Sequence, residues 1–262
     1  MAIAVPTLKE LFEAGAHYGH KKEHSYPSSK DYVYTQKEGI LIIDLQKTQA
    51  GLEKALEFVA RATKENKMIL FVSTKSQMQE KVAEIGKETG MAYASYKWFG
   101  GTLTNFNTIL KSITKMKKLD EYLESEEFAK LTKRERVKFK EQLERKHHYL
   151  DGLKNLNKLP DILFVVDPVT EKVAVGEAKK FNLPIVAICD TNANADLIDY
   201  VIPANDDSVR TLILILDLVK QTILDSKPSL KTVIPPTEIV KKVSKITPPT
   251  GEAGNNQDTI TK

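Results

Sequence analysis

The stretch HYGHKKEHSYPSSKDYVY, residues 17–34, sets histidines at positions 17, 20 and 24 among lysines, tyrosines and a proline. Imidazoles three residues apart on a helical turn can face one cation. His17 and His20 are therefore candidate ligands for a structural divalent cation such as zinc or magnesium, with Asp190 and Asp206 as oxygen donors from the ends of strands. The plainer alternative is a histidine that donates to a backbone carbonyl. Lys21, Lys22 and Lys30 are interleaved with Tyr26, Tyr32 and Tyr34. Such a mixture suits RNA, whose phosphates meet cations and whose splayed bases meet rings. The expected division of labour has the histidines bracing this loop against a sheet edge while the lysines and tyrosines face a polyanion.

A second stretch, KWFGGTLTNF at 97–106, puts a double glycine ahead of a long helical pattern. Gly100 and Gly101 permit backbone conformations that other residues resist, and Thr102 or Thr104 can cap the helix. Free amides at such a helix start attract phosphate. Lys97 beside Trp98, the sole tryptophan, fits a nucleic-acid backbone or a stacked base as well as it fits a small phosphate. With Gly100, Gly101, Thr102 and Asn105 they form a second candidate RNA contact; in the competing reading Trp98 and Phe99 anchor a core and the glycines only turn the chain. No glycine-rich loop ends in Gly-Lys-Ser or Gly-Lys-Thr, and no G-x-G-x-x-G follows the first strand. The third stretch, CDTNANADLIDYVIPANDDSVR at 189–210, ends one strand in Asp190, Thr191 and Asn192 and the next in Asn205, Asp206 and Asp207. Ligands of open α/β sheets bind beyond such strand ends, although aspartates there also cap helices. No serine, cysteine or lysine sits in a recognisable nucleophile motif, so catalysis is not expected.

The elements that must position these residues alternate short apolar runs with amphipathic segments. ILIIDL at 40–45, MILFVS at 68–73, DILFVVD at 161–167 and PIVAICD at 184–190 read as buried strands, with DYVIPAN from 199 as a shorter one. KTQAGLEKALEFVARATKEN, with Leu52, Ala55, Leu56, Val59 and Ala60 on one face, is a crossover helix, and SQMQEKVAEIGKE and TEKVAVGEAKKF are two more. DDSVRTLILILDLVKQTIL closes the body, with Asp206 and Asp207 suited to a helix N-terminus. The reading is an α/β fold: an open parallel sheet of about five strands with helices on both faces, formed by 1–102 and 158–226.

Residues 103–157 break the rhythm with two helical patterns and no strand, an inserted antiparallel coiled-coil hairpin. Its arms carry Phe106, Ile109, Ile113, Met116 and Leu123, then Phe139, Leu143, Leu150 and Leu153. SEEFAKLT supplies the turn, with Thr132 as the cap ahead of Glu135. From 111 to 158 there are 14 lysines and arginines against 9 acidic residues, so Lys111 and Lys115 at its base lean towards a polyanion, whereas His147 and His148 read as solvent-exposed. From 227 to 262 two Pro-Pro pairs and little apolar periodicity predict a disordered tail.

The net charge of +4 is mild and hides this uneven distribution. Cys189 is the only cysteine, which excludes a disulfide framework or a cysteine-rich zinc module and fits a reducing compartment. Following PIVAI, its thiol should be buried. MAIAVPTLKELFEAG lacks the basic region and apolar run of a secretory signal, and the longest apolar run, LILIL at 212–216, cannot span a bilayer; a soluble, cytosolic protein is expected.

Taken together, AGAHYGHKKEHSYPSSKDYVYTQKEGILIIDLQKT at 14–48, KWFGGTLTNFNTI at 97–109 and the run from LPDILFVVD to DDSVRTL at 159–212 resemble the small-subunit ribosomal protein S-2 family of bacteria and organelles, over roughly 5–225. The long hairpin favours its bacterial-type branch. The resemblance implies a flavodoxin-like body with a protruding coiled-coil hairpin. It implies binding to small-subunit ribosomal RNA between head and body, and contact with neighbouring small-subunit proteins. It further implies a part in holding ribosomal protein S-1, which helps bring messenger RNA. No enzymatic activity, required cofactor or membrane follows from it, and the implied location is cytoplasmic and ribosome-bound. The family usually shows Trp-Leu-Gly-Gly where this chain has Trp98, Phe99, Gly100 and Gly101, and often an arginine pair and a tryptophan where it reads KKEHSYP; lysine keeps the charge but gives up arginine's planar fork. Two rivals remain: an enzyme of flavodoxin-like fold acting on a phosphorylated small molecule held between Gly101 and Asp190, and a free interaction module using the hairpin.

Overall fold

The computed structural model describes residues 5–227; the tail expected beyond Lys227 lies outside the described residues. Helix α1 (Leu8–Ala14) opens on a capping box in which the Glu10 carboxylate accepts the Thr7 N–H at 2.7 Å, and Gly15 ends it at φ +82°. Three short strands follow, β1 (Tyr18–Lys21), β2 (Val33–Lys37) and β3 (Ile40–Ile43), in an antiparallel sheet of order β1-β3-β2. Glu38 and Gly39 both have positive φ, 53° and 83°, the conformation of a two-residue hairpin turn whose twist matches its strands. The run at 40–45 is therefore not a strand of the parallel sheet. It alternates exposed and buried side chains and is flanked on both edges by antiparallel partners, and Leu45 already begins the next helix.

That helix, α2 (Leu45–Lys64), is capped by the Asp44 carboxylate, which accepts the Gln46 N–H at 2.9 Å. There follow β4 (Ile69–Val72), α3 (Gln79–Thr89), β5 (Ala92–Ala94), α4 (Phe106–Leu123), α5 (Glu126–Ala129) and α6 (Lys133–Leu150). The chain then runs through β6 (Ile162–Val166), α7 (Lys172–Lys180), β7 (Ile185–Cys189), β8 (Tyr200–Pro203) and α8 (Val209–Ser226). The five parallel strands lie in the order β5-β4-β6-β7-β8. Counted within that sheet alone, this is the flavodoxin-like order, with its reversal between β4 and β6. Four strands coincide with the expected runs; the fifth is Ala92–Ala94, too short and alanine-rich to stand out by hydropathy.

Because β4, β6 and β7 are buried along their whole length, alternate residues serve two separate cores. Ile69, Phe71, Phe164, Val186 and Ile188 pack with residues of α1, α2, α3 and α8. Leu70, Val72, Leu163, Val165 and Ala187 pack on the other face with residues of α4, α6 and α7. Each fully buried aliphatic or aromatic side chain of this kind contributes about 1.5–3 kcal/mol, so both faces resist solvent exposure. Cys189 lies in the second core, as its apolar neighbours predict, and burial pushes its thiol up.

Helices α4 and α6 pack together over Ile113, Met116 and Leu143. The turn between them holds α5, whose Phe128 rests on Tyr122 and Phe139, and Thr132 forms the expected capping box with Glu135. Of the two histidines of α6, His148 is exposed as expected, whereas His147 is half-buried. The His148 ring lies tilted against Tyr96, and His147 bridges Asp120 (Nε2 to Oδ1, 2.7 Å) and Asp151 (Nδ1 to Oδ1, 3.0 Å), with Lys154 also 3.2 Å from Asp151 Oδ1. The hydrogen bond to Asp151 and then Asp120 raise the imidazole above its ordinary range, against opposing desolvation. A raised folded-state value means stability that is fully present below the unfolded value of about 6.5 and lost as pH climbs through the folded one. The difference in melting temperature between wild type and His147→Gln should accordingly shrink as pH rises above about 6.5; a gap that stays constant on raising the pH would remove the bridge from the account.

Candidate binding face at the carboxyl ends of the parallel strands

The side chains that follow four of the parallel strands converge. Lys75, three residues past β4, sends its ammonium to Asp167 Oδ2 after β6 (3.0 Å), to Asp206 Oδ1 after β8 (2.9 Å) and to Asp207 Oδ1 (3.1 Å). It also donates to the Asp206 backbone carbonyl at 2.7 Å. Burial pulls that ammonium down, but the hydrogen bond and charge of Asp206 and the charge of Asp167 leave it above its ordinary value. Burial and then the neighbouring Asp167 push Asp206 up to about 7. Asp206 is thus an acceptor in a cationic clamp, not the helix cap that its position suggests; α8 is capped by Ser208, and Asn205 accepts the amides of Asp207 and Ser208.

His20 stands on β1 beside this clamp. Its Nδ1 lies 3.0 Å from Asp190 Oδ2, which follows β7, and its Nε2 lies 3.3 Å from Asn192 Nδ2 and 3.6 Å from Asp207 Oδ2. The Asp190 carboxylate holds the imidazole above its ordinary range. His17 takes no part: α1 ends at Ala14, so the two histidines do not share a helical turn, and the buried His17 ring stacks on Phe12 at 4.3 Å. Burial depresses its basicity, as in a core histidine.

The loop of 17–34 is bolted to the segment after β7. Tyr26 N–H and the Ser29 hydroxyl both donate to the Thr191 carbonyl, at 2.8 and 2.6 Å. The His20 N–H donates to Thr191 Oγ1 at 2.9 Å, and the Ala195 N–H donates to Ser28 Oγ at 3.0 Å. Gly19 is required here, since a Cβ would come within 2.7 Å of Thr191 Cγ2. On this fixed backbone Lys21, Lys22, Lys30 and Tyr26 are exposed.

The glycine stretch is built around an acid that sequence reading missed. Glu177 of α7, only 6% exposed, accepts from Trp98 Nε1 (3.1 Å), Gly101 N (2.7 Å), Leu103 N (2.9 Å), Thr104 N (3.0 Å) and Thr104 Oγ1 (3.2 Å). Burial drives its carboxyl up, but the amides of Thr104, Gly101 and Leu103 outweigh burial and leave it below its ordinary value. The amides expected to attract a phosphate therefore already hold an internal carboxylate. Neither threonine caps α4: Thr102 is buried and donates to the Phe99 carbonyl, and the N-cap is Asn105. Gly101, at φ +91°, needs its glycine. Of this group Lys97, Gly100 and Asn105 are exposed, as are Lys111 and Lys115 on α4.

Lys75, Asp167 and Glu177 were not singled out by the sequence. Lys75 and Asp167 carry a signal, polar residues just past MILFVS and DILFVV; Glu177 has none, because a glutamate in GEAKK reads as an ordinary helix surface. The structure is thus a flavodoxin-ordered α/β fold whose strand ends are tied by ion pairs and whose braced loop exposes lysines. The family described as Ribosomal protein S2 matches residues 11–226. The Small ribosomal subunit protein uS2 of Petrotoga mobilis is 44% identical over 225 residues, 86% of this chain and 78% of that protein. The chain belongs to the Ribosomal protein S2 family and is a ribosomal protein. Among the described residues no helix is long and apolar enough to cross a membrane.

Proposed function

We propose that the chain is a constituent of the small ribosomal subunit in the cytoplasm, that it binds small-subunit ribosomal RNA through the 17–34 loop and the base of the α4–α6 pair, and that it helps seat ribosomal protein S-1. The observation that carries the RNA reading is the loop itself. Lys21, Lys22 and Lys30 are exposed and, among the described residues, make no ion pair, on a backbone fixed by Thr191 and Ala195. Pre-ordered cations lose little freedom on meeting phosphates, and each phosphate neutralised releases counterions. Lys97, Lys111 and Lys115 extend the cationic surface, while the helix pair, as an antiparallel coiled-coil arm, reaches further along the particle. Trp98 is half-buried and supports its loop by donating to Glu177, and Thr102 is buried. Glu177 also occupies the amides that a phosphorylated small molecule would need, which weakens the enzymatic alternative.

Charge reversal at Lys21, Lys22 and Lys30 together should weaken binding to small-subunit RNA about tenfold or more at moderate salt, and should flatten the log–log salt dependence by about 0.7–0.9 for each phosphate no longer neutralised. The melting temperature should stay put. Binding unaffected by salt, or wild-type protein that fails to enter reconstituted small subunits, would defeat the reading. Subunits assembled with and without this protein, then tested for retention of S-1 on a gradient, address the second role.

A further inference from the structure

We propose that the cavity between α3, the end of β5 and the C-terminal turn of α6 binds one nucleobase that carries an amino group, adenine the best match, presented by a free nucleotide or by an unpaired residue of RNA. The cavity encloses about 230 Å³. Sites that take drug-sized ligands run to roughly 300–1,000 Å³, so this one has room for a single ring system. Ser95, just past β5, lines it and is only 3% exposed. Its hydroxyl is buried with no hydrogen-bond partner. Such orphaned groups are rare in folded proteins, because each one left unmet carries the full cost of its desolvation. The ring nitrogen of a base would accept the Ser95 O–H and remove that cost.

The walls suit a flat ring. Tyr93 forms one of them and is held between two glycines: a Cβ on Gly86 of α3 would overlap its Cδ1, and a Cβ on Gly152 would lie 2.5 Å from its Cδ2. Tyr96 and Tyr149 also line the cavity, yet stay 37% and 40% exposed. The His148 ring touches both, 3.7 Å from Tyr96 and 4.9 Å from Tyr149 between centroids. Aromatic side chains grouped and exposed in this way are the platforms on which unstacked bases rest.

Polar groups decide which base. Asp151 Oδ1 is engaged by His147 Nδ1 at 3.0 Å and by Lys154 Nζ at 3.2 Å, whereas its Oδ2 takes no hydrogen bond among the described residues. A hydroxyl donor and an open carboxylate oxygen lining one small cavity match a ring nitrogen next to an amino group, the edge of adenine or cytosine. Uracil offers a carbonyl where the carboxylate needs a donor. Adenine's second ring gives more area against the tyrosines, which favours it over cytosine. Lys87 of α3 lines the same cavity, is exposed, and makes no ion pair among the described residues, while Lys81 and Glu88 of that helix are paired. Its ammonium is available to the phosphate that a nucleotide brings. Tyr96 adjoins Lys97 of the proposed RNA face, so a strand held there can turn one base inward. That source rests on the RNA-binding reading; the free nucleotide does not.

The test titrates the full chain with adenosine monophosphate, adenosine, uridine monophosphate and inorganic phosphate, read by calorimetry and ligand-observed NMR. Adenosine monophosphate should bind, the uridine nucleotide at least about fivefold more weakly, and phosphate alone not at all. Ser95→Ala should weaken the adenine nucleotide about tenfold while the melting temperature holds or rises, since the hydroxyl has no partner within the protein to lose. Tyr96→Ala should cost about tenfold through lost stacking, and Lys87→Met should weaken the nucleotide but not adenosine. An adenine nucleotide that fails to bind, adenine and uridine nucleotides that bind alike, or undiminished affinity in Ser95→Ala would overturn the proposal. If Tyr96→Ala fails to fold, base selectivity and Ser95→Ala decide. A hairpin RNA with one bulged adenosine, set against the same hairpin with a bulged uridine, identifies the source. A preference for adenosine of about fivefold or more that Ser95→Ala removes assigns the RNA residue, and adenine-nucleotide binding without that preference assigns the free nucleotide. Charge reversal at Lys21, Lys22 and Lys30 leaves this cavity intact, so RNA binding and base binding can fail separately.

Discussion

Glu177→Ala is expected to destabilise the protein by about 3–5 kcal/mol, the cost of leaving buried donors without their charged acceptor. Five donors converge on this one carboxylate, and Leu103, whose amide is among them, is itself buried. Truncation would leave these groups without their acceptor, the Leu103 N–H among them being buried. Glu177→Gln tests the charge separately. Its carbonyl can keep Trp98 Nε1 and Gly101 N, but its amide then points a donor at the N–H groups of Leu103 and Thr104, so the loss should fall between wild type and alanine. The carboxyl is held below its ordinary value in the fold, which fixes the sign of the pH dependence. Its contribution is complete above the unfolded value of about 4.3 and fades as pH falls through the lower folded value. The stability gap between wild type and Glu177→Ala, from denaturant titration, should therefore be flat from neutral pH to about 5 and close only below that. A loss under about 1 kcal/mol would mean that water replaces the carboxylate, and that the loop bearing Lys97 holds its shape by packing alone.

Buried strands and crossover helices were legible because their signals are local. MILFVS, DILFVVD and PIVAICD are apolar on both faces, as only strands covered on both sides need be. ILII is equally apolar in composition, yet its partners are antiparallel, and composition alone does not show which edges a strand presents. That Asp190 and Asp206 share one end of the sheet was legible because each directly follows a strand of the same parallel sheet. His17 was misplaced because a three-residue offset favours shared facing only on a helix, and Gly15 ends the helix before it. Glu177 and Lys75 could not be read, since each acts through a partner far along the chain: 76 residues separate Glu177 from Gly101, and 131 separate Lys75 from Asp206. Polarity along the sequence shows that a charge exists; only the crossover order shows what it neutralises.

Lys75→Met should be comparably severe, about 3–5 kcal/mol, because it strands two carboxylates that are almost wholly buried. Methionine replaces the aliphatic stem well, so lost packing is not the cause. The damage lies in Asp206 and Asp167, each within 3.0 Å of the ammonium in the wild type, which would face each other with no cation between them. The double variant Lys75→Met/Asp206→Asn then separates charge from shape. It removes one of the stranded negative charges, and should recover roughly 1–3 kcal/mol of the single variant's loss, a coupling of the size found for residues in one ion-pair network. Additive losses in the double variant would show that Lys75 acts mainly through its bond to the Asp206 backbone carbonyl. Recovery would show that opposite charge ties the ends of β4, β6 and β8 together, on the same side of the sheet that braces the cationic loop.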